Sequence, residues 1–106
     1  MKIAIPSTGK EIESLISCNL GRAPFIVIYD STTGKYNPIK NPGFQVQDGS
    51  GLKATDIILQ NDASVLLTRE VGRKAYSILQ KERIKIKLLN LNSTVNSAVS
   101  KFLKKP

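Results

Sequence analysis

Cys18 is the one thiol in a chain of 106 residues, and no histidine accompanies it. The lack of imidazole removes the commonest metal ligand and the commonest general base. A zinc site of the usual Cys/His type cannot be assembled within the chain, and neither can a serine or cysteine nucleophile activated by histidine. A bound metal would need Cys18, carboxylates or a partner. The Cys18 thiolate is a soft ligand matched to iron–sulfur or copper chemistry if it faces a loop, with the Met1 thioether as the other soft atom. The alternative is a small buried hydrophobe, which free cysteine often is.

Four residues on, Arg22 carries a planar fork of donors able to hold a sulfide cluster, an oxyanion or a phosphate, or to pair with a carboxylate such as Asp30. Gly49 and Gly51 flank Ser50 where a helix is expected to start, so free amides there can hold an anion or merely be capped. The Gly-Lys-Ser/Thr ending of a phosphate loop is missing, and so is the third glycine of a dinucleotide fingerprint. Gly72-Arg73 opens a further expected helix with a similar amide-rich end, where close packing accounts for the glycine as well. Asp30, Asp56 and Asp62 do not form the clustered set that a two-metal nuclease needs.

The charge is uneven. Residues 1–68 hold six Lys/Arg against six Asp/Glu, whereas residues 69–106 hold ten against two, which accounts for the net +8. Such a surplus fits an anionic partner or a solvated basic face. Arg73, Lys74, Lys81, Arg83, Lys85 and Lys87 are a candidate basic patch from 73 to 87. The six aromatic residues are not interleaved with these cations, so the stacking platforms of a single-strand binder are lacking.

These residues need a frame. Lys2–Pro6 and the unbroken apolar run Phe25–Asp30 read as strands central in a sheet. Between them residues 7–24 are mostly loop, with Ile12, Leu15 and Ile16 able to pin a turn to the core. Ser31-Thr32-Thr33-Gly34 predicts a hairpin into Lys35–Lys40, and Pro38 consigns that strand to an edge. Residues 41–49 are again loop. A helix from Ser50 to about Asn61, with Leu52, Ile58 and Leu59 as its apolar contacts, precedes a short strand at Val65–Leu67. A second helix runs from Val71 to about Glu82 on Val71, Ala75, Ile78 and Leu79. Ile84–Leu88 alternates isoleucine or leucine with lysine, as a half-exposed edge strand does. Ser93 or Thr94 caps a last helix whose stripe is Val95, Ala98, Val99, Phe102 and Leu103. The order predicts one α/β domain over residues 1–106: a three-layer mixed sheet, part antiparallel meander and part parallel, flanked by helices. With no apolar stretch of membrane length and too short an apolar run for a secretory signal, a soluble cytoplasmic protein is expected.

Gly21-Arg22-Ala23-Pro24-Phe25, followed by the strand ending in Asp30, resembles the signature of the dinitrogenase iron-molybdenum cofactor biosynthesis family. Lys2-Ile3-Ala4-Ile5-Pro6-Ser7, Gly49-Ser50-Gly51, Val71-Gly72-Arg73-Lys74-Ala75 and Thr94-Val95 look like that family's further elements, in its order, over nearly the whole chain. The resemblance implies a ribonuclease H-like five-stranded sheet, no catalysis, and a nitrogen-fixation-related accessory role in binding or carrying an iron-molybdenum or iron–sulfur cluster. It also implies a cluster donor or acceptor protein as partner. Cofactor contacts would fall on Cys18, Asn19, Arg22, Gly49, Ser50 and Gly51, with Cys18 as the metal ligand. Many relatives place histidine and phenylalanine before the glycine–arginine pair where this chain has Asn19-Leu20. An asparagine oxygen suits hard cations, so the ligand role falls to Cys18, two copies of which a homodimer could supply. The alternative is a basic module that binds nucleic acid or an acidic protein without metal.

Overall fold

Alternating apolar side chains on short β-branched runs build both halves of the core from the same strands. The computed structural model describes residues 1–42, 50–89 and 92–104. Its elements are β1 (Lys2–Ser7), β2 (Phe25–Asp30), β3 (Lys35–Lys40), α1 (Ser50–Gln60), β4 (Val65–Thr68), α2 (Arg73–Lys81), β5 (Lys85–Leu88) and α3 (Val95–Leu103). The sheet order is β3-β2-β1-β4-β5. β1 pairs antiparallel with β2, which pairs antiparallel with β3, while β4 lies parallel to both β1 and β5. The mixed sheet, the central β1 and the two edge strands follow the sequence expectation.

One face of the sheet presents Ala4, Ile26, Ile28 and Leu66 to Ala54, Ile57 and Ile58 of α1 and to Ala75 and Leu79 of α2. The other presents Ile3, Ile5, Val27, Val65 and Leu67 to Val95, Ala98 and Val99 of α3. Leu52 and Leu103, expected as core contacts, are exposed at 38% and 40%, each in a terminal turn of its helix. Leu88, on the last strand of the sheet, is also exposed. The second helix begins two residues later than Val71, with Gly72 as its N-cap and Val71 still packed against the core.

The β2–β3 turn uses Gly34 at φ 76°, and Asp30 Oδ1 accepts the Thr32 N–H at 2.9 Å. That bond is the first cause holding the Asp30 carboxyl below its ordinary range. Pro38 sits on edge strand β3, where its missing donor costs no ladder bond to a further strand. No helix among the described residues is long and apolar enough to cross a membrane.

Candidate functional site

The register collects five chain crossings at one end of the sheet. β1, β4 and β5 run parallel and end there at Ser7, Thr68 and Leu88, and β2 starts there, with Phe25 opposite both Ser7 and Lys40. The loops that carry Cys18, Asn41, Arg69 and Asn92 therefore share this end. In open α/β sheets the crevice outside the carboxyl ends of parallel strands is where ligands bind.

The loop after β1 is tied down along its length. The Ser17 N–H donates to the Pro6 carbonyl and the Ile16 N–H to that of Ser93, both at 2.9 Å. Carbonyls of Ser14 and Ile12 accept the N–H groups of Val95 and Asn96, and Thr94 Oγ1 accepts that of Ser97. The first-turn amides of α3 are thus taken by the protein itself. Leu20 is buried among the α1 contacts, and Asn19 Oδ1 accepts the N–H of Gly21 at 2.9 Å and of Arg22 at 3.2 Å. Asn41, itself buried, donates its amide to the carbonyls of Leu20, Gly21 and Ala23. A small-residue turn clamped from both sides explains why Gly21-Arg22-Ala23-Pro24 stands here.

Cys18 is exposed at the crest of this turn, which decides against its reading as a buried hydrophobe. Arg69, the first residue past β4, donates Nη1 to Cys18 Sγ at 3.0 Å and to Asn92 Oδ1 at 2.6 Å. The guanidinium so bridges the Cys18 turn and the segment leading to α3. Its Nε is buried and finds no acceptor among the described residues. A buried donor without a partner costs about 1–3 kcal/mol.

Cys18, Asn19 and Arg22 thus share one turn. Asn19 spends its oxygen on the turn's own amides, which gives it a structural duty a ligand reading overlooks. Arg22 is exposed near the start of β2, whereas Asp30 ends that strand roughly 17 Å away, so they do not pair. Gly49 lies outside the described residues. Ser50 is the first residue of α1, and a Cβ on Gly51 would meet the Ala75 Cβ of α2 at 3.5 Å, so Gly51 lies at a helix–helix contact. Among the described residues no three His, Cys, Asp or Glu side chains group as a metal site. The basic run from 73 to 87 is split: Arg73, Lys74 and Lys81 ride on α2, while Lys85 lies over Phe102 of α3 on the opposite face. Arg69 and Asn41 escaped the sequence reading. Arg69 had one usable signal, its position directly after a parallel strand.

The model of the family described as "Dinitrogenase iron-molybdenum cofactor" matches residues 1–105. The chain is similar to the apo form of the orange protein from Desulfovibrio gigas, at 32% identity and a TM-score of 0.90, covering 96% of this chain and 86% of that one. It is also similar to a Thermotoga protein provisionally described as NifB, at 29% identity and a TM-score of 0.82, covering 95% and 85% respectively. Among curated proteins none matches the chain.

Proposed function

Because this chain belongs to the dinitrogenase iron-molybdenum cofactor family, we propose that it is a small non-enzymatic accessory protein that binds and hands on a preformed metal–sulfur cluster. The observation that carries this reading is the Arg69 guanidinium held against the exposed Cys18 sulfur with a buried donor to spare. A bare metal ion needs several protein ligands, and a cage of three His, Cys, Asp or Glu is lacking among the described residues. A preformed iron–sulfur or iron-molybdenum-type cluster brings its own sulfides. Such cargo needs only one exchangeable thiolate and donors directed at its anionic sulfurs, and hydrogen bonds to those sulfurs also tune it.

In this reading Cys18 is the metal ligand, Arg69 and Arg22 supply charge and N–H donors, and Asn19 fixes the turn that presents the thiol. The backbone amides of residues 49–51 are the further anion contacts implied by the family motif. Two Cys18 thiolates in a homodimer, or one with a cluster donor or acceptor protein, would complete the coordination. We read the 3-2-1-4-5 sheet as the ribonuclease H-like arrangement, in a single cytoplasmic domain. A nucleic-acid role is the weaker reading, since the cations divide over two faces of the sheet.

The test is anaerobic reconstitution with iron and sulfide, and separately with a molybdate-derived cluster, followed by visible absorption. The expected result is a chromophore that Cys18→Ser abolishes and that Arg69→Gln binds roughly 10-fold or more weakly. A wild-type protein that acquires no chromophore, or one indifferent to both substitutions, would overturn the proposal.

A further inference from the structure

A sheet of five strands is roughly 19 Å wide, and a helix with its side chains is about 10–12 Å across, so α3 alone cannot cover its face. On the β3 side two tyrosines cover part of the remaining surface. Tyr29 and Tyr36 pack with ring centroids 4.6 Å apart, and the Tyr36 hydroxyl donates to Asn96 Oδ1 of α3 at 3.1 Å. On the β5 side a groove of about 520 Å³ remains, with Leu67, Ala98 and Phe102 among its apolar lining and Lys87 and Lys101 among its polar lining. Lys85 Nζ stands 5.5 Å from the centre of the Phe102 ring. From Arg83 to the end of the sequence there are six Lys/Arg and no Asp or Glu.

Among the described residues no strand pairs with the outer edge of the strand beside this groove. β5 is last in the sheet, and the N–H groups of Lys85 and Leu89 are bonded to Ser64 and Thr68 on the inner side. The alternation of a parallel ladder then turns the N–H and C=O of Ile86 and Leu88 toward the open edge. Lysines on an edge strand are a common device against unwanted pairing. That device does not call for an exposed leucine, yet Leu88 is 56% exposed at this edge, beside a groove with an apolar floor.

We infer that the β5 edge and the adjoining groove form a docking site for an extended acidic segment of a partner protein. The segment adds as a sixth strand beside β5 through the outward groups of Ile86 and Leu88. One of its apolar side chains enters the groove, and its carboxylates face Lys85, Lys87 and Lys101. A second copy of this chain is a poor occupant, because edge-to-edge pairing would set Lys85 and Lys87 against their own counterparts. The groove shares Asn92 with the Arg69 bridge to Cys18, but the docking needs no cluster, so it is tested on unloaded protein and its failure leaves the cargo proposal standing.

The probe is a fluorescein-labelled eight-residue peptide in which glutamates and one valine occupy alternate positions and threonines the others, so that carboxylates and valine share one face of the added strand; binding is followed by anisotropy and by amide shifts of 15N-labelled protein. Saturable binding is expected, with the largest shifts at Ile86, Leu88 and Ala98, and with affinity roughly tenfold lower in the double variant Lys87→Glu, Lys101→Glu. Leu88→Pro removes only an outward N–H, so it should weaken the peptide while leaving the β4–β5 ladder intact. Equal binding of a lysine–valine peptide, shifts confined to other surfaces, or affinity unchanged in the double variant would overturn the inference. A single-stranded oligonucleotide of equal charge that displaces the peptide at lower concentration than the peptide itself would overturn it in favour of nucleic acid.

Discussion

Two asparagines hold the Cys18 turn, and they do so from opposite directions. Asn19 accepts two amides within the turn, whereas Asn41 reaches in from the end of β3 to give its side-chain amide to three carbonyls. Asn41 is buried at 3% exposure and Asn19 is only partly so. Removing a buried donor leaves its acceptors desolvated and unpaired, so Asn41→Ala should cost about 2–3 kcal/mol and Asn19→Ala about 1 kcal/mol, measured by urea denaturation. A reversed ranking would mean that the turn is held from within rather than by β3. Cys18, Asn19 and Arg22 were legible in the sequence because the chain offers so little other chemistry. Asn41 and Arg69 were not, because their importance comes from contacts with residues about 20 and 51 positions away, which only the register creates.

At the scale of elements, composition and period located all eight helices and strands of the described residues, and the proline in β3 and the lysine alternation in β5 marked both edges. Periodicity tells which side of a helix is apolar and not whether its terminal turns are covered, which is why Leu52 and Leu103 were misassigned. It also hides how the helices stop. α1 and α2 end without glycine, through Asp62 at φ 56° and Arg83 at φ 61°, and the next N–H in each case returns five residues, Ala63 to Ile58 and Ile84 to Leu79. A left-handed conformation strains a branched or long side chain more than an asparagine-like one. Arg83→Gly should therefore raise stability by about 0.5–1 kcal/mol, and Asp62→Gly by less, in the same urea titration. If Arg83→Gly destabilises, the arginine stem contributes packing that outweighs the strain. The β3–α3 contact yields a pH dependence. Burial first, and then the charge of Tyr29, push the Tyr36 phenol above its ordinary 10.0. A raised value means that the neutral phenol favours the folded state: that stabilisation is complete below the unfolded value and is lost as pH climbs through the folded one. Wild-type stability should fall above about pH 10 more steeply than that of Tyr36→Phe, by thermal melts across that range.

For the molecule as a whole, the two core clusters are not independent, because successive residues of the same strands feed opposite faces. In β1, Ile3 and Ile5 face α3 while Ala4 faces α1 and α2, and in β4 Val65 and Leu67 alternate with Leu66 in the same way. Losing α3 would strip one side of the strands that hold the other. The connection is reinforced at the α3 N-terminus, where the loop after β1 supplies acceptors to Val95 and Asn96. The groove beside β5 argues the other way, since among the described residues one helix packs on this face and two on the other. Two signals separate these tendencies. The Tyr29–Tyr36 pair gives a near-ultraviolet dichroic signal from the α3 face, whereas α1 and α2 carry eleven and nine helical residues against nine in α3 and so dominate the far-ultraviolet signal. Shared strands should prevail, and the two urea transitions should coincide in midpoint and slope, as for a two-state domain of this size. A tyrosine transition at lower urea would instead make the α3 layer a separate cooperative unit, one whose opening would also release the loop after β1 and the Arg69–Asn92 bond beside Cys18.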